Sequence, residues 1–146
     1  MKELETTITI NASADRVWSV LMNFDDYPNW NPFIQQIKGD PQVGNTIEGT
    51  LKIEGKSPMV FKPEVLINDT EQEFRWLGHL FVKGLFDGEH YFKIRKTGPN
   101  ETEFIQGEKF SGLLSGTLIK MIGEQTKQGF EQMNEALKQQ TEKLTS

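Results

Sequence analysis

The feature that most constrains the fold is a segment rich in aromatic residues and proline at residues 23–33, NFDDYPNWNPF. Pro28 and Pro32 lack an amide hydrogen and disfavour helical backbone in the residue before them, so the segment cannot belong to a long helix. It cannot be a solvated loop either, because its four aromatic side chains carry too much apolar area to leave in water: Phe24, Tyr27, Trp30 and Phe33. The segment is therefore expected to form one short helical turn that folds against an apolar surface.

Composition limits the class of protein. The chain has 146 residues, which suits one domain with a substantial core, and we expect a single domain over residues 1–146. The formal net charge is −5, which argues against a nucleic-acid partner and against electrostatic docking on anionic membranes. No apolar run approaches the length of a membrane span, so we expect no stable membrane insertion. Residues 1–5 lack the apolar core of a signal peptide, and this predicts a cytoplasmic protein.

Few side chains suited to metal binding or nucleophilic catalysis are present. The chain has no cysteine, which excludes disulfides, thiol nucleophiles and thiolate metal sites. His79 and His90 are the only histidines, and a zinc site built on them would need unusual help from carboxylates. The sequence also lacks a glycine-rich phosphate loop, a nucleophile elbow and an HExxH motif. We therefore expect no metal and no cofactor.

Apolar periodicity predicts a set of strands followed by one long helix. Residues 3–11 alternate between an apolar and a polar face, as strands do, and residues 14–22 carry the single apolar stripe of a short helix with Ser13 as its N-cap. Between residues 34 and 110, about six alternating segments separated by turns predict an antiparallel meander, with a bulge or a sheet edge at Pro63. Residues 112–143 predict a helix with an apolar stripe formed by Leu118, Ile122, Phe130, Met133 and Leu137. Only this helix is long enough to cover the apolar face of such a meander.

Five segments carry a resemblance to a known group of proteins: ADRVW at 14–18, FDDYPNWNPF at 24–33, FRWLG at 74–78, GLFDGEH at 84–90 and FSGLL at 110–114. With the order of elements, they resemble the helix-grip fold of the START-like superfamily, the polyketide cyclase/dehydrase and lipid-transport group (SRPBCC). The resemblance implies an α+β fold, in which a curved antiparallel sheet of about seven strands wraps on the long C-terminal helix and two short helices follow strand 1. It also implies a mostly apolar cavity between sheet and helix. The group includes lipid carriers, hormone receptors, cyclases and co-chaperones, and it has no shared catalytic residues.

The turn around Pro99 predicts the register of the last hairpin. If the hairpin closes symmetrically, Ile94 lies across from Phe104, Phe92 from Gln106, and His90 from Glu108, and all six side chains share one face. The other face, with Tyr91, Lys93, Arg95, Ile105, Gly107 and Lys109, is expected to be wetter. Three polar groups on an apolar concave face suggest a patch that orients a ligand. The alternative, of about equal weight, is that His90 and Glu108 simply bond each other or lie in water at the open end of the sheet.

The predicted cavity gives a set of candidate ligand-binding residues: Trp30, Trp76, Phe86, His90, Phe92, Gln106, Glu108, Phe110, Leu118, Met121 and Ile122. Trp30 is expected either to close one end of the cavity or to anchor the short helical turn. Leu85–Phe86 and Leu113–Leu114 are apolar residues in glycine-containing loops, which predicts that they pack at the cavity mouth or gate it. Met121 is expected to face the sheet near that mouth.

Three functions fit these patterns. The first is binding of a hydrophobic small molecule, such as a lipid, a polyketide-like compound or an aromatic metabolite. The second is a cyclase or dehydratase activity that uses His90 and Glu108 as acid and base. The third is an interaction module of the co-chaperone type, which a filled interior and a large exposed apolar patch would favour. The sequence leaves the oligomeric state open.

Overall fold

A computed structural model describes residues 2–80 and 84–143 of the chain. The elements follow in this order: β1 (Lys2–Ile10), α1 (Ala14–Met22), a 3₁₀ turn (Phe24–Asp26), α2 (Tyr27–Trp30), β2 (Ile34–Lys38), β3 (Glu48–Leu51), β4 (Met59–Phe61), β5 (Glu64–Asp69), β6 (Glu73–Leu80), β7 (Phe86–Gly98), β8 (Glu101–Ser111) and α3 (Ser115–Lys143). None of the described helices combines the length and apolarity that crossing a membrane requires.

The strands form two antiparallel sheets. The larger sheet has the order β1-β8-β7-β6-β5, and the smaller one has the order β2-β3-β4. A single bridge between Thr46 and Glu64 connects them. Helix α3 packs on the larger sheet through Phe130, Met133 and Leu137, each 0 % exposed. The predicted α+β helix-grip fold, with two short helices after the first strand, is therefore confirmed.

Pro63 explains why the described chain has eight strands where about seven were expected. The sequence predicted one strand through residues 61–67, with a bulge or an edge at the proline. Pro63 has no N–H to donate to a ladder, and its carbonyl accepts a hydrogen bond from the Ile47 amide at 3.0 Å. The chain therefore leaves the small sheet after β4 and enters the edge of the large sheet as β5.

The aromatic segment folds into the core as predicted. Tyr27 is 1 % exposed, and its hydroxyl donates to the Leu21 carbonyl at 2.6 Å. The Asn31 side chain then ends the turn, since its Oδ1 accepts from the amides of Phe33 and Ile34. Phe33 packs edge-on against Phe130 of α3, with ring centroids 5.5 Å apart. The segment thus fills the gap between the long helix and the small sheet.

Two glycines shape α3. At Gly112 the φ angle of +107° turns the chain, so the helix begins at Ser115 instead of at residue 112. At Gly129 a Cβ atom would lie only 2.6 Å from the Phe33 ring, so the missing side chain lets the helix approach the aromatic segment. The first turns of α3 are less buried than the sequence predicted, because Leu118 and Ile122 are only half-buried.

The hairpin register is confirmed, because His90 pairs with Glu108, Phe92 with Gln106, and Ile94 with Phe104. The prediction that Tyr91 lies on a wet face is wrong, because Tyr91 is 0 % exposed. Its ring lies beneath the guanidinium of Arg75 and the ammonium of Lys93, at 4.8 and 4.9 Å. Burial first, and then Glu3 and Glu5, raise the pKa of its hydroxyl. Long charged side chains thus cover a residue on the outer face.

Candidate ligand-binding cavity

A cavity of about 110 Å³ lies between the concave face of the large sheet, the small sheet and α3. Its lining is mostly apolar and consists of Phe33, Leu51, Ile53, Met59, Phe61, Trp76, Gly78, His79, Phe86, Gly88, His90, Glu108, Phe110, Ile122 and Thr126. An apolar cavity of about 150 Å³ can hold benzene. The space observed here therefore suits a molecule of about the size of one ring.

Six of the predicted site residues line this cavity: Trp76, Phe86, His90, Glu108, Phe110 and Ile122. Phe92 and Gln106 are on the same face of the sheet but are 0 % exposed and do not border the cavity. Both instead support His90, since the Phe92 ring lies 4.7 Å from the imidazole and the Gln106 side chain bonds to it.

Three predicted residues lie elsewhere. The prediction that Met121 faces the sheet is wrong: its side chain is 64 % exposed, because adjacent helix positions differ by about 100° and its neighbour Ile122 takes the inward position. Leu118 is half-buried one turn before Ile122 and does not line the cavity. Trp30 packs against the Tyr27 ring at 5.2 Å, as the anchoring alternative predicted.

Of the four loop residues predicted at the cavity mouth, only Phe86 lines the cavity. Phe86 is 7 % exposed, lines the cavity, and stacks on Phe110 with ring centroids 5.4 Å apart. Leu113 and Leu114 are 85 % and 40 % exposed, so they do not pack at the mouth. Their amides instead donate to the carbonyls of Gly84 and Leu85, so these two residues are bonded to the segment just before α3.

Sequence reasoning missed most of the wall that the small sheet supplies: Leu51, Ile53, Met59 and Phe61, together with Phe33. Alternation showed that residues 47–53 have an apolar face but not which surface that face meets. The answer depends on the single bridge between the sheets and on the break at Pro63, both of which are tertiary features. His79, Gly78, Gly88 and Thr126 also line the cavity and were not predicted.

Aromatic rings hold the His90 imidazole in place. The Trp76 indole stacks on it with a centroid separation of 5.1 Å and an interplanar angle of 20°. The Phe130 ring approaches edge-on at 5.0 Å. His90 is 3 % exposed, so its ring has little freedom to turn and its two nitrogens face fixed partners.

Both nitrogens of His90 have hydrogen-bond partners. Nδ1 lies 3.1 Å from Glu108 Oε1, and Nε2 lies 2.9 Å from Gln106 Oε1. The alternative in which His90 and Glu108 bond each other is thus what the structure has. The pair also borders the cavity, so structural pairing and a role at the site coexist.

A chain of hydrogen bonds continues from Gln106 into the core. Gln106 Nε2 donates to Asn134 Oδ1 at 2.8 Å and to the Phe130 carbonyl at 3.3 Å. Asn134 Nδ2 donates to Thr6 Oγ1 at 2.8 Å, and the Thr6 hydroxyl donates to the Gln106 carbonyl at 3.0 Å. Sequence analysis missed Asn134, although an amide side chain between Met133 and Leu137 of an apolar stripe is a signal of a buried polar contact.

The carboxylate of Glu108 depends on a glycine in the neighbouring strand. A Cβ atom at Gly88 would collide with Glu108 Oε2 and would lie 3.0 Å from its Cδ. Oε2 makes no hydrogen bond with the described residues. Gly88 therefore leaves the space that this oxygen occupies, and both residues line the cavity.

The second histidine lies at the cavity mouth and is also paired. His79 Nδ1 lies 2.7 Å from Asp87 Oδ1, and the same oxygen accepts from the Gly84 amide at 3.2 Å. The His79 side chain is 33 % exposed. Among the described residues, no three His, Asp or Glu side chains lie close enough together to hold a metal ion.

Comparison with known proteins agrees with this architecture. A family model described as polyketide cyclase / dehydrase and lipid transport matches residues 1–142. The fold is similar to that of the Zhui aromatase/cyclase from Streptomyces sp. R1128, with a TM-score of 0.81 at 13 % identity over 99 % of this chain and 96 % of that one. It is also similar to norcoclaurine synthase from Thalictrum flavum, with a TM-score of 0.75 at 17 % identity over 99 % and 96 %. A START superfamily protein from Mycobacterium smegmatis gives 0.74 at 21 % identity over 97 % and 98 %. No curated protein matches the chain significantly in sequence.

Proposed function

Because the chain belongs to the polyketide cyclase / dehydrase and lipid transport family, we propose that it binds a hydrophobic small molecule in the cavity between its two sheets and α3. Members of this family bind hydrophobic ligands or act as aromatases and cyclases. The observation that carries the proposal is an apolar space lined by aromatic rings, with one paired carboxylate at its wall. Small-molecule sites have this composition, in which a few placed polar groups orient a ligand held by apolar contact.

The size of the cavity limits the ligand. About 110 Å³ accommodates one ring, whereas a flavonoid or a sterol would extend out of the open side of the cavity or need the walls to move apart. Ring-sized aromatic compounds are therefore the first ligands to test.

A space-filling substitution tests the proposal. Gly78 lines the cavity, and a Cβ atom there would lie 3.8 Å from Pro63 Cβ and 4.0 Å from the Gly88 carbonyl, which is ordinary contact. We expect Gly78→Leu to fold and to weaken toluene binding more than tenfold, while Gly78→Ala, the matched control, retains most of it. Binding is measured by amide NMR shifts and by thermal shift. Unchanged toluene binding in Gly78→Leu would place the ligand elsewhere.

Acid–base catalysis is a second candidate, favoured by the presence of the His90–Glu108 pair at the cavity wall. Such a pair can remove and return a proton when substrate lies within hydrogen-bond reach. A cyclase or dehydratase would lose turnover in both His90→Gln and Glu108→Gln while still binding its substrate.

The third alternative, an interaction module, has less support, because the interior is not filled.

A further inference from the structure

The buried hydrogen-bond chain behind the cavity has only one consistent direction. Its two ends are the carbonyls of Gln106 and Phe130, which can only accept. The Thr6 hydroxyl has one hydrogen and donates it to the Gln106 carbonyl, so its oxygen must accept from Asn134 Nδ2. Asn134 Oδ1 then accepts from Gln106 Nε2, which also donates to the Phe130 carbonyl. Turning the Gln106 amide over would place its oxygen against that carbonyl, with two acceptors facing each other.

This direction determines the hydrogens of His90. Gln106 presents its oxygen to His90 Nε2, so Nε2 must carry a hydrogen and donate it. On the other side of the ring, Nδ1 and Glu108 Oε1 hold one hydrogen between them. Both ring nitrogens are therefore occupied, and His90 has no N–H left to offer a ligand.

Glu108 Oε2 is the atom of the His90–Glu108 pair that remains for a ligand. It lies in the space that Gly88 leaves, and with the shared hydrogen on the other side of the carboxyl group it can only accept. Thr126 also lines the cavity, and its hydroxyl hydrogen is used in a bond to the Ile122 carbonyl at 2.8 Å. The lining residues in the described part of the chain include no lysine or arginine. A ligand carboxylate would thus meet an acceptor oxygen of Glu108, with no lysine or arginine among the described lining residues to offset its charge.

We propose that the cavity selects its ligand by polarity: it takes ring-sized molecules that donate a hydrogen bond to Glu108 Oε2, and it excludes carboxylates of the same size. This inference rests on the proposed function. Two acceptors that face each other at a mostly apolar wall disfavour binding, whereas a hydrogen bond donated to a carboxylate favours it. Gln106, Asn134 and Thr6 act as positioning residues, since they orient His90 without touching the ligand.

Four ligands that share one ring test the selection by calorimetry on the full chain: toluene, p-cresol, benzylamine and benzoate. We expect p-cresol and benzylamine to bind about tenfold or more tightly than toluene, and benzoate to bind at least tenfold more weakly than toluene. Comparing p-cresol with benzylamine shows whether the cavity prefers a neutral hydroxyl donor or a charged ammonium donor. In Glu108→Gln the amide offers a donor as well, so the discrimination against benzoate should shrink. Glu103→Gln, which alters a pair with Arg95 at the protein surface, is the matched control and should change nothing.

The possible failures are distinguishable. If benzoate binds as tightly as p-cresol, the polarity inference is overturned while the proposed function stands. If none of the four compounds binds, toluene included, both are overturned.

The direction of the hydrogen-bond chain has its own test. Long-range ¹⁵N NMR of the ligand-free protein should show a hydrogen on His90 Nε2, with His79→Gln used to assign the two histidines. A bare Nε2 would overturn the inference without any ligand experiment.

Discussion

The outer face of the large sheet depends on a residue without a side chain. The Tyr91 ring lies across Gly107, its partner in β8, and a Cβ atom there would lie 2.5 Å from Tyr91 Cζ and 2.7 Å from the Leu4 carbonyl. Because Gly107 has no side chain, there is room for the Tyr91 ring. The Tyr91 hydroxyl then lies 2.7 Å from Glu3 Oε2 and 2.6 Å from Glu5 Oε2. One small residue thus organises a contact among three strands.

Gly107→Ala should therefore destabilise the protein. The added methyl group must displace either the Tyr91 ring or the backbone of β1, and overpacking of this kind typically costs about 1–3 kcal/mol. The free energy of unfolding is measured in urea. Gly116→Ala is the control, since no atom lies within 4 Å of its added Cβ, and it should leave stability unchanged or raise it slightly. Equal effects in the two variants would contradict the packing argument.

Both tyrosines of the chain should resist ionisation in the folded state. Burial raises the pKa of Tyr27, and burial followed by Glu3 and Glu5 raises that of Tyr91. Below pH 10 the neutral hydroxyls are present in folded and unfolded chains alike; as the pH rises above about 10, only the unfolded chain ionises. Stability should then fall with rising pH. We expect the phenolate absorbance of the native protein to appear only on unfolding, whereas the chain in urea titrates near pH 10.

Helix α3 is the element that joins the core to the cavity. Its middle and end are packed, with Phe130, Met133 and Leu137 fully buried. Near its start, Ile122 and Thr126 border the cavity, and Met121 points to solvent. One helix therefore contributes stability along most of its length and cavity lining in two turns.

Substitutions at the two ends of α3 should separate these roles. Leu137→Ala should lower the free energy of unfolding by about 2–5 kcal/mol, because it removes a fully buried side chain. Met121→Ala, on the same helix but 64 % exposed, should stay within about 0.5 kcal/mol. Calorimetric or urea unfolding of both variants is the measurement. A small cost for Leu137→Ala would mean that α3 packs less closely than described.

Local sequence patterns predicted the hairpin register and the position of α3, but not the contacts between elements that are distant in the sequence. Strict alternation on both sides of the turn at residues 97–101 was enough to place His90 across from Glu108. The apolar stripe located α3, but a stripe is wide enough that it could not decide between Met121 and Ile122. The Pro63 break and the wall made by Phe61 depend on how two sheets meet, for which no short segment carries a signal. Asn134 differs, because its place in the apolar stripe of α3 signals a buried polar contact, but the stripe does not identify the partners in β1 and β8.

Across the whole molecule, the polar chain links the two ends of the sequence. Thr6 and Asn134 are 128 residues apart, and their hydrogen bond connects β1 to α3 behind the cavity. A buried chain in which each member satisfies the next is worth more intact than its separate bonds suggest. The orientation of His90 at the cavity therefore depends on the contact between β1 and α3.

A double-mutant cycle should detect this link. Thr6→Val and Asn134→Leu each leave a buried partner unsatisfied, at a cost of about 1–3 kcal/mol, and the double variant should cost less than the sum by about 0.5–3 kcal/mol. Thr102→Val is the control, because its hydroxyl bonds to the Ala12 carbonyl and not to Asn134. Its combination with Asn134→Leu should be additive. Additivity in the Thr6 cycle would show that the chain is not cooperative.

The cavity also has a mechanical consequence. Internal space that water does not fill adds to the volume lost when a protein unfolds, and the cavity of about 110 Å³, which opens to solvent on one side, contributes its unfilled part. Hydrostatic pressure favours whichever state occupies less volume, so the ligand-free protein should unfold at a lower pressure than the protein with toluene bound. A ring that occupies the cavity removes this weakness, and its presence can be read from the rise in the unfolding pressure.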